Sequence, residues 1–259
     1  MKTEAPNNRN QVPSTTAQKI TGSPSDPLTP SSVPPSGGTA VGLATPPAGA
    51  DALLETIGGY SFQWLIHNLE AHGRKQFGPS FAIRQTDHNL MRRLLVYFLA
   101  DANKASQLGI DLHKGIFLTG PIGCGKTTLM SLMRLIPGPD QNFTIKPTRD
   151  ITFEFIQDGY EVIHRYSRLS FHAHGPRTYC FDDLGAEQAL KYYGNECNVM
   201  AEIVLSRYDF YKAFSMLTHF TTNLTASEID AMYGPRVRSR MREMFNLISF
   251  DDRHNDLRQ

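Results

Sequence analysis

Eight consecutive residues, Gly120-Pro121-Ile122-Gly123-Cys124-Gly125-Lys126-Thr127, satisfy G-x-x-x-x-G-K-[ST] at every position. Glycines at this spacing let backbone N–H groups wrap around phosphate oxygens, and a helix opening there adds the positive end of its dipole. So placed, Lys126 would reach the β- and γ-phosphates of ATP, and the Thr127 hydroxyl would ligate Mg²⁺. Thr128 closes the nucleotide-binding segment, its side chain expected to face the helix interior. A glycine-rich turn without ligand is the plain alternative, and the strand before and helix after the motif weigh against it.

Cleaving a bound triphosphate takes a carboxylate at the end of a nearby strand. Thr178-Tyr179-Cys180-Phe181 reads as a strand and runs into Asp182-Asp183. Buried acids there are costly without a compensating cation, which Mg²⁺ would supply. Asp182 is expected to hold the metal through water and Asp183 to orient or activate the attacking water. Glu187, on the loop beyond, is a reserve for that second role. The next predicted strand ends in Thr221-Thr222-Asn223. Asn223 at that tip would lie beside Asp183 and sense the γ-phosphate. Thr225-Ala226-Ser227-Glu228 then reads as a capping box.

Further on, arginines stand at 236, 238, 240 and 242. A solvated basic face accounts for some of them, but Arg236 and Arg240 are four apart and share one helix face. An arginine offered to a neighbouring subunit's γ-phosphate would neutralise transition-state charge and make turnover depend on assembly.

The elements that must position these groups alternate in type. Strands are predicted at Ile116–Thr119, Thr178–Phe181, Met216–Phe220 and Leu247–Phe250, with helices at Lys126–Ile136 and Cys197–Tyr211. That alternation implies an α/β fold, a parallel sheet flanked by helices, with ligand chemistry at the carboxyl ends of the strands. Residues 50–112 read as a helical preface. Phe62, Leu65, Ile66 and Leu69 share one face, and a second helix is capped by Thr86 or Asp87. Residues 1–49 hold nine of the 16 prolines and no aromatic residue, and are expected to form a disordered tail.

Together the motifs resemble an AAA+ ATPase. Phe181 through Glu187, Ser206-Arg207-Tyr208, Thr221 through Leu224 and Gly234 through Glu243 are similar to the DnaC/IstB group of helicase loaders and transposition helper ATPases. The resemblance covers roughly residues 115–250 and makes residues 113–259 an AAA+ domain of the P-loop NTPase type. It implies ATP and Mg²⁺ as ligands, self-association into an oligomer, single- or double-stranded DNA, and a helicase or transposase as partner. By the same similarity the Asp182-Asp183 pair is normal for the group, and Arg240 rather than Arg236 takes the arginine-finger position. The usual C-terminal lid is expected to have no counterpart here, with Arg253 or Arg258 only a weak substitute for its arginine.

Other classes fit less well. Three cysteines are too few and odd in number for a disulfide scaffold, and a net charge of +1 excludes a uniformly basic coat. With no apolar run long enough to span a bilayer and no signal-peptide order, a cytoplasmic protein without membrane contact is expected. DNA contact would fall on residues 145–171, where Lys146, Arg149, Arg165 and Arg168 stand among Phe153, Phe155, Tyr160 and Tyr166, although aromatics so spaced are more often core. His164, His172 and His174 lack partners at metal-ligand spacing. The rivals are a protein-directed AAA+ ATPase that ignores DNA, a nucleotide-gated assembly module with negligible turnover, and a small-molecule kinase, whose acceptor site and lid are not in evidence.

Overall fold

The structure, a computed structural model, describes residues 56–137, 142–173, 175–187, 190–192 and 195–250. The expected tail, His174, Arg253 and Arg258 lie outside the described residues.

A short hairpin, β1 (Thr56–Ile57) and β2 (Tyr60–Ser61), leads into α1 (Phe62–Phe77), α2 (His88–Phe98) and α3 (Ala102–Gln107). Phe62, Leu65, Ile66 and Leu69 are the buried face of α1, as their spacing requires. Asp87 occupies the N-cap position of α2, yet its carboxylate turns to Arg84 Nε at 3.2 Å and makes no capping bond, against expectation. These helices share one continuous core with the sheet that follows, since Leu65, Leu94 and Leu95 pack in the same cluster as Ile116, Leu118 and Met130.

The sheet has five strands, all parallel: β3 (Gly115–Thr119), β4 (Phe143–Pro147), β7 (Thr178–Leu184), β10 (Thr218–Thr222) and β11 (Phe245–Ser249), in the order β11-β3-β10-β7-β4. Each of β3, β7 and β10 has a strand on either side, so their residues are apolar or buried almost throughout. β3 and β10 approach so closely that a Cβ on Gly115 would sit 1.6 Å from the Thr218 carbonyl oxygen, which leaves glycine as the only fit. One face stacks Phe117, Phe181, Phe220 and Phe245 against α5 (Thr148–Asp158), α6 (Glu161–Tyr166), α7 (Val199–Phe214) and α8 (Ala226–Met244). The other packs under the preface and α4 (Lys126–Met133). Two hairpins, β5 (Phe171–His172) with β6 (Gly175–Pro176) and β8 (Leu190–Tyr192) with β9 (Asn195–Cys197), complete the elements.

β4 escaped the sequence reading. It is an edge strand of five residues ending in proline, too short and too mixed in polarity to separate from the helix it enters. Its neighbour β7 runs on through the acids to Leu184 rather than stopping at Phe181.

At the blunt end of the sheet Arg207, fully buried on α7, donates to the carbonyls of Tyr166 (2.8 Å), Arg177 (3.0 Å) and Leu217 (2.7 Å) and to Thr218 Oγ1 (2.7 Å). Desolvation pushes its guanidinium down to about 9, so it stays charged at neutral pH. Beside it in the sheet, His219 accepts the Ile116 N–H through Nδ1 at 2.9 Å and is ringed by Tyr97, Phe98 and Phe143.

Candidate nucleotide site

The loop between β3 and α4 turns on Gly123 and Gly125, whose φ angles of +79° and +100° lie in the left-handed region. Gly120 is restricted differently, because a Cβ there would meet Phe250 at 2.8 Å. The turn opens a cleft of about 550 Å³ whose lining includes Gly123, Lys126, Thr127, Thr128, Asp183 and Asn223. Ile122 stands exposed at its edge, while Cys124 is buried behind the loop, where desolvation raises its thiol pKa. Lys126 Nζ lies under the loop, bonded to the carbonyls of Gly120 (2.9 Å) and Pro121 (2.8 Å). Thr128 is among the residues lining the cleft and is half-buried.

The acid strand does not neighbour the loop strand. β10 lies between them, and its tip joins the two. Thr127 Oγ1 is 3.0 Å from both carboxylate oxygens of Asp182, and Thr221 Oγ1 donates to Asp182 Oδ1 at 2.6 Å. Burial raises the Asp182 pKa above the ordinary carboxylate value, while the Thr221 and Thr127 hydroxyls pull it back. Hard oxygen donors from a hydroxyl and a desolvated acid, beside a phosphate-shaped turn, suit Mg²⁺ that keeps waters and substrate oxygens as its other ligands. Among the described residues no group of three or more His, Cys, Asp or Glu could form an all-protein cage, so His164 and His172 belong to none.

Asp183 is exposed and adopts φ +61°. The β7–β10 register slips here, pairing Phe181 with Phe220 and Leu184 with Thr222, so β7 carries one residue more than its partner across the step. Such a bulge re-aims side chains. Consecutive residues of a regular strand point to opposite faces, but here one acid meets Thr127 while the next lines the same cleft. Two fully buried threonines hold the bulge. Thr221 Oγ1 accepts the Asp183 N–H at 2.8 Å, and Thr148 donates to the Asp183 carbonyl at 2.9 Å. The sequence signal for Thr221 is its place in the Thr-Thr-Asn run, two residues before Asn223. Asn223 does line the cleft with Asp183.

Glu187 does not line the cleft. One of its carboxylate oxygens accepts the Gly185 N–H at 2.8 Å and the other the Tyr233 hydroxyl. The capping box of α8 forms as expected, with Glu228 accepting the Thr225 N–H at 2.7 Å. α8 then breaks at Gly234 (φ +85°), and Pro235 starts a second half that carries Arg236 and Arg240. Neither arginine lines the cleft of its own chain. Arg236 is exposed, while Arg240 lies over the Tyr208 ring (4.4 Å) and 3.5 Å from Glu243.

The all-parallel sheet, its strand order and the glycine loop at its carboxyl edge define an α/β fold of the P-loop type. No model of a known family matches the chain, nor does any curated protein. Solved structures do align with it. The DnaC helicase loader is 14% identical with a TM-score of 0.45, over 67% of this chain and 94% of that one. A primosome component from Streptococcus pyogenes serotype M3 is 15% identical (TM-score 0.46), over 66% and 83%. AMPPCP-bound DnaA from Aquifex aeolicus is 16% identical (TM-score 0.42), over 69% of this chain but 50% of DnaA, so the chain spans half that protein's length. Likeness at this level concerns the fold alone.

Proposed function

We propose that this protein binds Mg·ATP in the cleft, hydrolyses it across a contact between copies of itself, and acts as a DNA-remodelling helper that delivers a helicase or transposase. The observation that carries the reading is the convergence of three strands on one cleft. The loop after β3 supplies Lys126 and Thr127, β7 supplies Asp182 and Asp183, and β10 supplies Thr221 and Asn223. Bound there, Mg²⁺ would be held by Thr127 and, through water, by Asp182, and would neutralise phosphate charge. Asp183 takes the position to orient water, with Asn223 beside it. Arginines that do not line their own chain's cleft are left to a neighbour's, which favours a trans role for Arg236 or Arg240.

For DNA, α5 and its end present Phe153 (51% exposed) and Tyr160 (49%), with Arg149 over the Phe153 ring at 5.4 Å. Phe155 and Tyr166 are core residues, while Lys146 and Arg165 are spent on Glu154, so the usable surface is narrower than the sequence implied.

The test is phosphate release with and without single-stranded DNA, alongside nucleotide binding. Lys126→Ala should lose binding, and Asp183→Asn should keep binding and lose turnover. DNA binding should weaken steeply with salt. Turnover in Asp183→Asn equal to the parent would refute the assignment of the acids, and salt-insensitive or absent DNA binding would favour the protein-directed rival. No helix among the described residues is long and apolar enough to cross a membrane.

A further inference from the structure

A side-chain bridge joins the turn after the acid tip of β7 to Tyr233, just ahead of the break from which the arginine-bearing half of α8 starts. The chain leaves Asp183 through Leu184 into Gly185, whose φ is +101° and whose missing Cβ would sit 2.6 Å from Leu224, the residue after Asn223. Glu187 closes that turn on the Gly185 N–H, and its other oxygen accepts the Tyr233 hydroxyl. Tyr233 is buried and is the last residue before the break at Gly234. The preceding carbonyl, that of Met232, is pinned by Asn198 Nδ2 at 2.9 Å. The first half of α8 therefore ends on fixed footing, and the second half, with Arg236 and Arg240, starts from one glycine whose backbone only a residue without Cβ adopts readily, and lays Val237, Met241 and Met244 into the core.

We propose that Glu187 and Tyr233 are positioning residues that set the arginine-bearing half of α8 relative to the acid tip of β7, so that one protomer's acids and the arginine it offers to its neighbour are held in register. The proposal deepens, and rests on, the trans-arginine reading above. Burial, reinforced by the Glu187 charge, pushes the Tyr233 phenol far above its ordinary value, so it remains a donor at any working pH. A half-buried carboxylate that accepts one donor from each element suits a staple better than a base. It holds both partners without lining the cleft.

Tyr233→Phe removes only the hydroxyl, and Glu187→Gln keeps the side chain's length without its charge. Both should bind the fluorescent nucleotide mant-ATP within about twofold of the parent and turn over about tenfold more slowly. The Glu187→Ala/Tyr233→Phe double variant should be no slower than the worse single, because one bond is lost either way. In mixed assemblies, Asp183→Asn with Arg236→Ala/Arg240→Ala should recover turnover. Adding Tyr233→Phe to the Asp183→Asn chain, which is the arginine donor, should cut that recovery. Parent-like turnover in Tyr233→Phe, losses that multiply in the double variant, or unchanged recovery in the last mixture would each overturn the link. Failure of the first mixture to recover at any ratio overturns instead the trans reading on which it rests.

Discussion

Thr221→Val exchanges a hydroxyl for a methyl of nearly the same shape, at a position with no solvent exposure. Two bonds disappear: the 2.6 Å donation to Asp182 and the 2.8 Å acceptance from the Asp183 N–H. A hydrogen bond to a charged group contributes about 1.5–3 kcal/mol, and an orphaned buried N–H costs a further ~1–2 kcal/mol. A net loss of about 3 kcal/mol is expected, which lowers the thermal midpoint of a domain this size by roughly 6–12 °C. Thr221→Ser keeps the hydroxyl and gives up one buried methyl, about 1 kcal/mol. The two variants therefore separate hydrogen bonding from packing. Urea unfolding at pH 7 without nucleotide measures the difference. Acid should shrink it, because burial raises the Asp182 pKa and the bond loses its charge once that group is protonated. If Thr221→Val is no less stable than Thr221→Ser at pH 7, the hydroxyl bridge is not what holds the acid tip.

Two further outcomes follow from the buried imidazole and guanidinium. His219 is pushed down from 6.5 to about 3 by desolvation, so the unfolded chain binds the extra proton. Stability attributable to it is intact above pH 6.5 and is lost as pH falls toward 3, at about 1.4 kcal/mol per unit. In His219→Gln, which keeps an acceptor for the Ile116 N–H, that acid slope should flatten in urea titrations at pH 7, 5.5 and 4.5. Arg207→Met leaves three carbonyls without their donor and should cost about 3–5 kcal/mol. A shift in urea midpoint worth less than ~1 kcal/mol would mean those carbonyls find other donors.

The local geometry could be read from the sequence because it depends on contiguous residues. The glycine loop, the Asp-Asp tip, the capping box and the apolar face of α1 are each confined to a few neighbouring positions. What escaped depends on pairings far apart in the chain. Nothing local to Thr218–Thr222 says that this strand inserts between β3 and β7, and this insertion makes Thr221 the bridge from Thr127's partner Asp182 to Asp183. Nor does a pair of acids reveal a bulge, whose existence depends on the register of the partner strand. Glu187 looked like a spare carboxylate for want of Tyr233, 46 residues on. β4 was hidden because an edge strand buries only part of its length and so lacks a full apolar signature.

The Arg207 joint limits how this sequence can drift. A guanidinium spent on peptide oxygens is indifferent to which side chains flank them, so positions 166, 177 and 217 owe it nothing but a main chain in the right place. Side-chain changes at 177 and 217 leave the joint intact, while Tyr166 is also held by its place in the core; no other residue offers a rigid fork able to reach all three carbonyls at once. Related chains could thus diverge widely around this point and still keep their strands converging on it, with the arginine as the fixed letter.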